Sequence, residues 1–358
     1  MVRMTKRHAI VCGDYINAWT LQQGLRSLNY RSTILPRSKY NAIDQALLAA
    51  STLFFTDEAG WARAAQIEVP AHFLPRTYNP IFVDKLLLAC HLCAIGETPV
   101  PFASFSSDLQ NRISPPLVLK PRRSWVGSRK LPRGMVCLST EQMSQAIRVL
   151  QSHGINPDLL LVQQFLTDAE NLSVAGFYDF LQPHRSFFIA TRKVLGDGGN
   201  LSTGVLVETV PAPKGLGKRV QHVLNTLDYR GPFEMEFLRD SRTGQYYILE
   251  LNPRFWMQHG LFLAGYENCL IRAYLDDQFT IPTATDEELM LPYRPMLWID
   301  RIFLFFALMS NRQTLYRSYQ EEVRKARQRG CVVYGFPTWG RAVRFIIGRT
   351  VRFLFRSR

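Results

Sequence analysis

Residues 231–254 constrain this chain more than any other stretch: Gly-Pro-Phe-Glu-Met-Glu-Phe-Leu-Arg-Asp-Ser-Arg-Thr-Gly-Gln-Tyr-Tyr-Ile-Leu-Glu-Leu-Asn-Pro-Arg. Two apolar, aromatic-rich runs, Phe233 to Leu238 and Tyr246 to Leu251, flank the turn sequence Asp240-Ser-Arg-Thr-Gly244, which predicts a β-hairpin. Side chains alternate along a strand, so Glu234 and Glu236 share one face of the first run, and Glu250 and Asn252 share one face of the second. The hairpin register can bring these faces together. Carboxylates and an amide carbonyl converging on one point make a hard oxygen site, of the kind Mg2+ occupies while it keeps water and bridges phosphates. Solvated strand faces also carry glutamate, but these acids stand in otherwise apolar strands, where charges are rarely left unpaired.

The rest of the chain reads as alternating strands and helices. His8 to Gly13, Ser32 to Leu35, Thr52 to Phe55 and Ala71 to Leu74 are strand candidates around the helical periodicity of Ala18 to Leu28, an opening α/β layer. Cys12-Gly13-Asp14 lacks the glycine fingerprint of a dinucleotide site. Asp84 to Ile95 is a helix ended by Gly96, and Pro116 to Lys120 is a strand followed by a basic loop from Arg122 to Gly134. Glu141 to His153 is an amphipathic helix and Leu159 to Phe165 a nearly unbroken apolar strand. Leu172 to Tyr178, Ser186 to Lys193 and Gly204 to Val210 predict an antiparallel meander, and Lys218 to Leu227 a helix leading into the hairpin.

With these segments in order, the chain resembles the ATP-grasp superfamily, specifically the carbamoyl-phosphate-synthetase-like carboxylate-amine ligases that include D-aspartate ligase. Glu250-Leu-Asn252-Pro-Arg254 matches the family's late acid-x-Asn-x-Arg signature, and Glu236 stands where the family places its other metal carboxylate. Asp84-Lys85 and Leu119-Lys120-Pro121 look like its two phosphate lysines, a compact charge with three donors each. Ser124-Trp-Val-Gly127-Ser128-Arg129-Lys130 is similar to the loop that closes over the triphosphate. Leu161-Val-Gln-Gln-Phe165-Leu166 resembles the hinge strand that pairs with adenine, although the family often has glutamate where Gln163 or Gln164 stands. The resemblance covers about residues 8 to 280 and implies an α/β (α+β) fold: a small N-terminal α/β domain over 1–80, a two-subdomain ATP-grasp domain over 81–290 (81–162 and 163–290), and a basic helical segment over 291–358.

The activity it implies is ATP-dependent activation of a carboxylate as an acyl phosphate, which is then joined to an amine or similar nucleophile. ATP and Mg2+, or Mn2+ in its place, are the implied cofactors. Lys85, Lys120, Ser128, Gln164, Phe165, Leu166 and Glu170 would bind the nucleotide, Glu236, Glu250 and Asn252 the metal, and Arg254, Lys193 and Arg192 the reacting groups. Gly198-Gly199-Asn200-Leu-Ser202-Thr203 resembles the substrate-side loop. No Ser/His or Cys/His nucleophile pair is evident or needed. Two alternatives remain open at this point: a membrane-associated binding protein of this fold without ligase activity, and an ATP-grasp enzyme whose product is not an amide.

The net charge is +14, and residues 291–358 carry fourteen Lys/Arg against Asp300, Glu321 and Glu322, which is +11 of it. Such a segment points to an anionic surface. Its basic residues are segregated from aliphatic and aromatic ones over Trp339 to Arg358, which favours the surface of a membrane over nucleic acid. A glycan- or lipid-linked acceptor would then suit the ligase, beside small-molecule carboxylate and amine substrates. Six scattered cysteines, with Cys90 and Cys93 in an apolar helical run, read as a reducing compartment, hence the cytoplasm or the inner face of its membrane. No stretch approaches the roughly 18 apolar residues of a membrane span.

Overall fold

The computed structural model describes residues 8–13, 16–42, 52–65, 79–105, 113–126, 129–131, 134–152, 154–196, 204–283, 288–304 and 313–336. Strands β1 (His8–Cys12), β2 (Arg31–Leu35) and β3 (Thr52–Phe55) form a parallel sheet in the order β2-β1-β3, with α1 (Ile16–Ser27) crossing between β1 and β2 and α2 (Glu58–Ala65) following β3. The fourth strand expected here, Ala71 to Leu74, lies outside the described residues.

Helix α3 (Lys85–Ala94) starts where the sequence sets it: the Asp84 carboxylate accepts hydrogen bonds from the amides of Leu86 and Leu87. It stops at Gly96, which adopts φ 77° and lets the amides of Gly96 and Glu97 fold back onto the carbonyls of Cys93 and Leu92. A four-stranded antiparallel sheet follows, built from β4 (Phe102–Ser104), β5 (Leu117–Pro121), β8 (Met135–Cys137) and β9 (Leu160–Gln164) in the order β4-β9-β5-β8; β6 (Trp125–Val126) and β7 (Arg129–Lys130) form a separate short pair between β5 and β8 in the chain, and α4 (Thr140–Ser152) buries Met143, Ala146 and Leu150 against the sheet.

The largest sheet comprises β10 (Ala169–Asp179), β11 (Phe187–Gly196), β12 (Gly204–Val210), β13 (Arg230–Asp240) and β14 (Tyr246–Asn252), with α5 (Leu216–Thr226) between β12 and β13. It continues after α6 (Gly260–Gly265) and α7 (Cys269–Leu275) into β15 (Met296–Asp300), α8 (Gln313–Gln328) and β16 (Val332–Phe336), in the order β14-β13-β10-β11-β12-β15-β16. The stretch after residue 290 therefore contains a helix, α8, and two strands, none of which the periodicity revealed, while the helix expected over Trp339 to Arg358 lies outside the described residues. Its described part is packed as core, with Leu297, Ile299, Val323 and Ala326 against Leu206. Among the described residues no helix is long and apolar enough to cross a membrane, and 339–358 lie outside them.

Alternation decides what each face of this sheet does. Leu172, Val174, Phe188, Ala190, Phe233, Met235 and Phe237 point to one side, where α3, α5 and the N-terminal sheet cover them. The other side is apolar at one end, where Ala175, Phe177, Phe187 and Ile189 pack on α1, α6 and α7. At the opposite end the same side becomes polar, with Asn171, Ser173, Thr191, Lys193, Glu234 and Glu236, and there it opens into a cleft.

Candidate active site

The cleft has a volume of about 880 Å3 and lies between the four-stranded sheet, the polar end of the large sheet and the N-terminal layer. The β13–β14 register places Glu236 opposite Glu250 and Glu234 opposite Asn252, so the four residues singled out in the hairpin do converge. A bulge makes this possible: the register shifts between Glu236 and Phe237, leaving Leu249 as the extra residue, and both Leu249 and Glu250 then face the cleft. Like charges directly across a strand pair oppose each other. Burial, and next the neighbouring Glu236, push the Glu234 carboxyl up, to about 8, and burial followed by Glu250 raises that of Glu236. Such a cluster fits a bound cation. Two carboxylates and one amide form the sparse ligand set that Mg2+ takes while keeping water and phosphate oxygens, whereas no cage of three or more His, Cys, Asp or Glu occurs among the described residues. Asn252 presents its Nδ2 to Glu234 (3.3 Å) and Glu236 (3.2 Å), so a half-turn of the amide would be needed to turn its oxygen to a metal.

Facing these acids are the two expected lysines. Lys120, on β5, is only 7% exposed and its side chain makes no hydrogen bond among the described residues; burial is the main cause that brings its ammonium down to about 8, against the pull of Glu250. Lys85 opens α3, donates to Ser124 Oγ at 3.2 Å and lies 3.8 Å from Glu250. Asp84 fixes both arms, because besides capping α3 it receives Arg122 at 3.1 and 2.9 Å, two residues beyond Lys120. Lys193 lines the cleft as expected, and its charge opposes the rise at Glu236.

On the hinge, Gln164, Phe165 and Leu166 all line the cleft. The Gln164 side chain, however, is committed to the Pro116 carbonyl (2.8 Å), while the amides of Gln164 and Phe165 go to Pro101 and Pro116. What is left for a base edge is the Leu166 N–H, which has no partner among the described residues, and the buried Gln163 amide, which also lines the cleft.

Two expected site residues lie elsewhere. Arg192 neighbours Lys193 on β11, so its side chain leaves the sheet on the opposite side, where it pairs with Glu208 (Nε at 3.1 Å) and with Glu170 at 3.0 Å. Neither Arg192 nor Glu170 lines the cleft; alternation separates them from it. Ser128 and the 198–203 loop lie outside the described residues.

Arg254 lines the cleft at the far end of the acids, with NH2 to Asn252 Oδ1 (3.2 Å) and Nε to Glu58 Oε1 (3.1 Å). The N-terminal wall of the cleft, Arg37, Thr56, Asp57 and Glu58, was not found by sequence reasoning. One signal was available: Asp57-Glu58 stand one residue beyond a buried parallel strand, and open parallel sheets take ligands at the carboxyl ends of their strands.

No known family profile and no curated protein matches the sequence. Solved structures do resemble the fold. An L-amino acid ligase from Bacillus licheniformis superposes with a TM-score of 0.53 at 16% identity, over 71% of this chain and 69% of that one. The biotin carboxylase domain of 2-oxoglutarate carboxylase from Hydrogenobacter thermophilus, in complex with MgADP, ADP and bicarbonate, gives 0.61 at 13% identity over 80% and 73%. N5-carboxyaminoimidazole synthase from Aspergillus clavatus, with ADP and 5-aminoimidazole ribonucleotide, gives 0.56 at 14% identity over 82% and 81%.

Proposed function

Because the chain has the ATP-grasp fold, we propose that it is an ATP-dependent ligase that activates a carboxylate and joins it to an amine. The observation that carries this reading is the buried Lys120 ammonium, without a side-chain hydrogen bond among the described residues, facing the opposed carboxylates Glu236 and Glu250 across one cleft. Such an arrangement fits a polyanion and its counter-cation together better than either alone.

ATP is the substrate whose phosphates Lys85 and Lys120 bind. The Leu166 N–H and Gln163 face the base, and Phe165 and Leu166 supply apolar contact. Glu236 and Glu250, with Asn252 turned over, would hold Mg2+, which when bound supplies charge neutralisation at the phosphates. The substrate carboxylate oxygen attacks the γ-phosphorus as the bond to the β-bridging oxygen breaks, giving ADP and an acyl phosphate; Arg254 and Lys193 orient the carboxylate and its mixed anhydride. The amine nitrogen then attacks the acyl carbon, inorganic phosphate leaves, and the amine gives up a proton to solvent or phosphate. Positioning and electrostatics supply the rate; no side-chain nucleophile takes part.

With this reading goes a division into residues 1–80, 81–290 and 291–358, the last adding β15 and β16 to the sheet that carries the site. The fate of the acyl group is tested directly: ATP, Mg2+ and a library of carboxylates with hydroxylamine as trapping amine should give ADP together with an acyl hydroxamate for a subset of acids. ADP formation without any hydroxamate would refute the ligase assignment. The excess charge of 291–358 supports reversible attachment to anionic lipid, each basic residue near such a surface contributing roughly 1 kcal/mol. Attachment predicts that the full chain floats with anionic but not neutral liposomes at low salt, and that a chain ending at Pro337 does not. If both chains stay with the protein fraction, the lipid reading fails.

A further inference from the structure

The cleft does not end at Arg254. Beyond it the wall is made by the segments that follow β3 and β2 at the carboxyl edge of the three-stranded sheet, where the order β2-β1-β3 reverses direction about β1. Open parallel sheets take ligands at such a point.

Two acids stand there and differ in one respect. Asp57 is used up: Oδ1 caps α2 through the Gly60 amide (2.8 Å), and Oδ2 accepts from Tyr40 (2.7 Å) and Arg37 (2.8 Å). Glu58 is not. An acid in the first turn of a helix usually faces solvent and complements the helix dipole. Here the side chain is 15% exposed, turns into the cleft, and reaches Arg254 from a position 196 residues away. Only Oε1 is engaged; Oε2 has no hydrogen bond among the described residues. Burial would raise its pKa, but Arg254, Lys85 and Arg37 overcome that and hold the carboxyl below its usual range.

An ionised carboxylate is an acceptor only. Its cleft-side oxygen can therefore be satisfied by an N–H or O–H group and by no carboxylate or phosphate. Among the components of the ligase reaction, on which this inference rests, the amine is the obligatory N–H donor. Glu58 and the oxygens of the acyl phosphate would also share Arg254, one on its Nε side and the others on its remaining N–H groups, which puts a nitrogen held by Glu58 beside the carbon it must attack.

We propose that Glu58 anchors a second subsite, which takes the primary amine substrate through its nitrogen. The test uses the full chain saturated with Mg2+ and a non-hydrolysable ATP analogue, titrated calorimetrically with two probe sets. Amino-acid amides carry an ammonium and no carboxylate; N-acetyl amino acids carry the reverse. Amides should bind, and Glu58→Gln should weaken them about tenfold, the loss of one charge-assisted hydrogen bond, with N-acetyl amino acids and the nucleotide analogue bound within twofold of wild type. Glu58→Asp, which keeps the charge, should recover part of the amide affinity, and melting curves check that both variants fold. Equal amide binding by wild type and Glu58→Gln overturns the proposal, as does the absence of amide binding. Parallel loss of both probe sets also overturns it, since Glu58 would then only position Arg254. Failure of the wild type to bind the nucleotide analogue would instead refute the ligase reading itself.

Discussion

The two walls of the cleft were assembled by different means. The wall proposed to bind the phosphates comes from neighbouring strands and one helix start: Glu236 and Glu250 are paired in a hairpin register, Lys120 lies on a strand, and Lys85 follows an N-cap. The opposite wall is a contact between parts of the chain about two hundred residues apart, in which Glu58 meets Arg254 and the Phe255 amide reaches the Phe55 carbonyl (3.1 Å). Local periodicity writes the first wall into the sequence, and tertiary docking makes the second. The first should therefore tolerate little change in chemistry, whereas the second should govern which molecules are joined.

The largest effect expected is on the first wall. Glu250→Gln keeps the size of the side chain but removes a charge opposite Glu236, and should lower ATP turnover by roughly a thousandfold, as expected when a preorganised electrostatic contact in a dry site is lost. Circular dichroism and melting should stay close to wild type, because two opposed carboxylates repel each other without a cation. Normal turnover by this variant would remove the metal role from the hairpin and with it the contrast between the walls.

Next in size is Lys120→Ala, which should weaken ATP binding by about tenfold to a hundredfold, the range of one hydrogen bond to a charged group, measured by calorimetry without a second substrate. The proton balance of the site gives a smaller effect. Glu234 is held up to about 8 and Glu236 is also raised, so both carry protons more readily at pH 6 than free glutamate does. A cation must displace them. Mg2+ affinity measured without nucleotide should rise as pH increases from 6 to 8, by up to about tenfold per pH unit for each proton released, and the binding enthalpy should depend on the buffer. Affinity independent of pH over that range would mean that the cation does not sit among these acids.

The same contrast explains how much could be read beforehand. The hairpin, its four converging polar residues, both lysines and the start of α3 were legible because each depends on a period of two or on a cap within one short segment. The bulge at Leu249 was not, since nothing in Tyr-Tyr-Ile-Leu-Glu marks an extra residue, yet it preserves the outcome by keeping Glu250 on the cleft side. Strands β15 and β16 were missed because Trp298 and its neighbours lie in a run whose apolar character suits a helix equally well, and only their pairing with β12 and with each other decides the matter. Glu58 could not be assigned, as its role exists only once the N-terminal sheet docks on the loop after β14.

The smallest effect expected sharpens the boundary of the site. Arg192 and Lys193 are consecutive basic residues, and the sequence treats them alike; the pleat sends them to opposite faces of β11. Lys193 faces the acids of the cleft. Arg192 faces Glu208 and Glu170 on the far side, and Glu208 is shared with Arg329 from the turn after α8, so this ion-pair group ties the C-terminal strands to the sheet. Arg192 is about two-fifths exposed, and Glu208 keeps a second arginine if it is removed. Arg192→Ala should then leave ATP affinity and turnover within about twofold, while lowering stability by about 1 kcal/mol or less, the range of a partly exposed pair. Lys193→Ala, the neighbouring change, should reduce turnover with little change in melting temperature. A large kinetic loss from Arg192→Ala, matching that of Lys193→Ala, would mean that the strand turns over during the reaction and that the face on which a residue stands here does not decide its role.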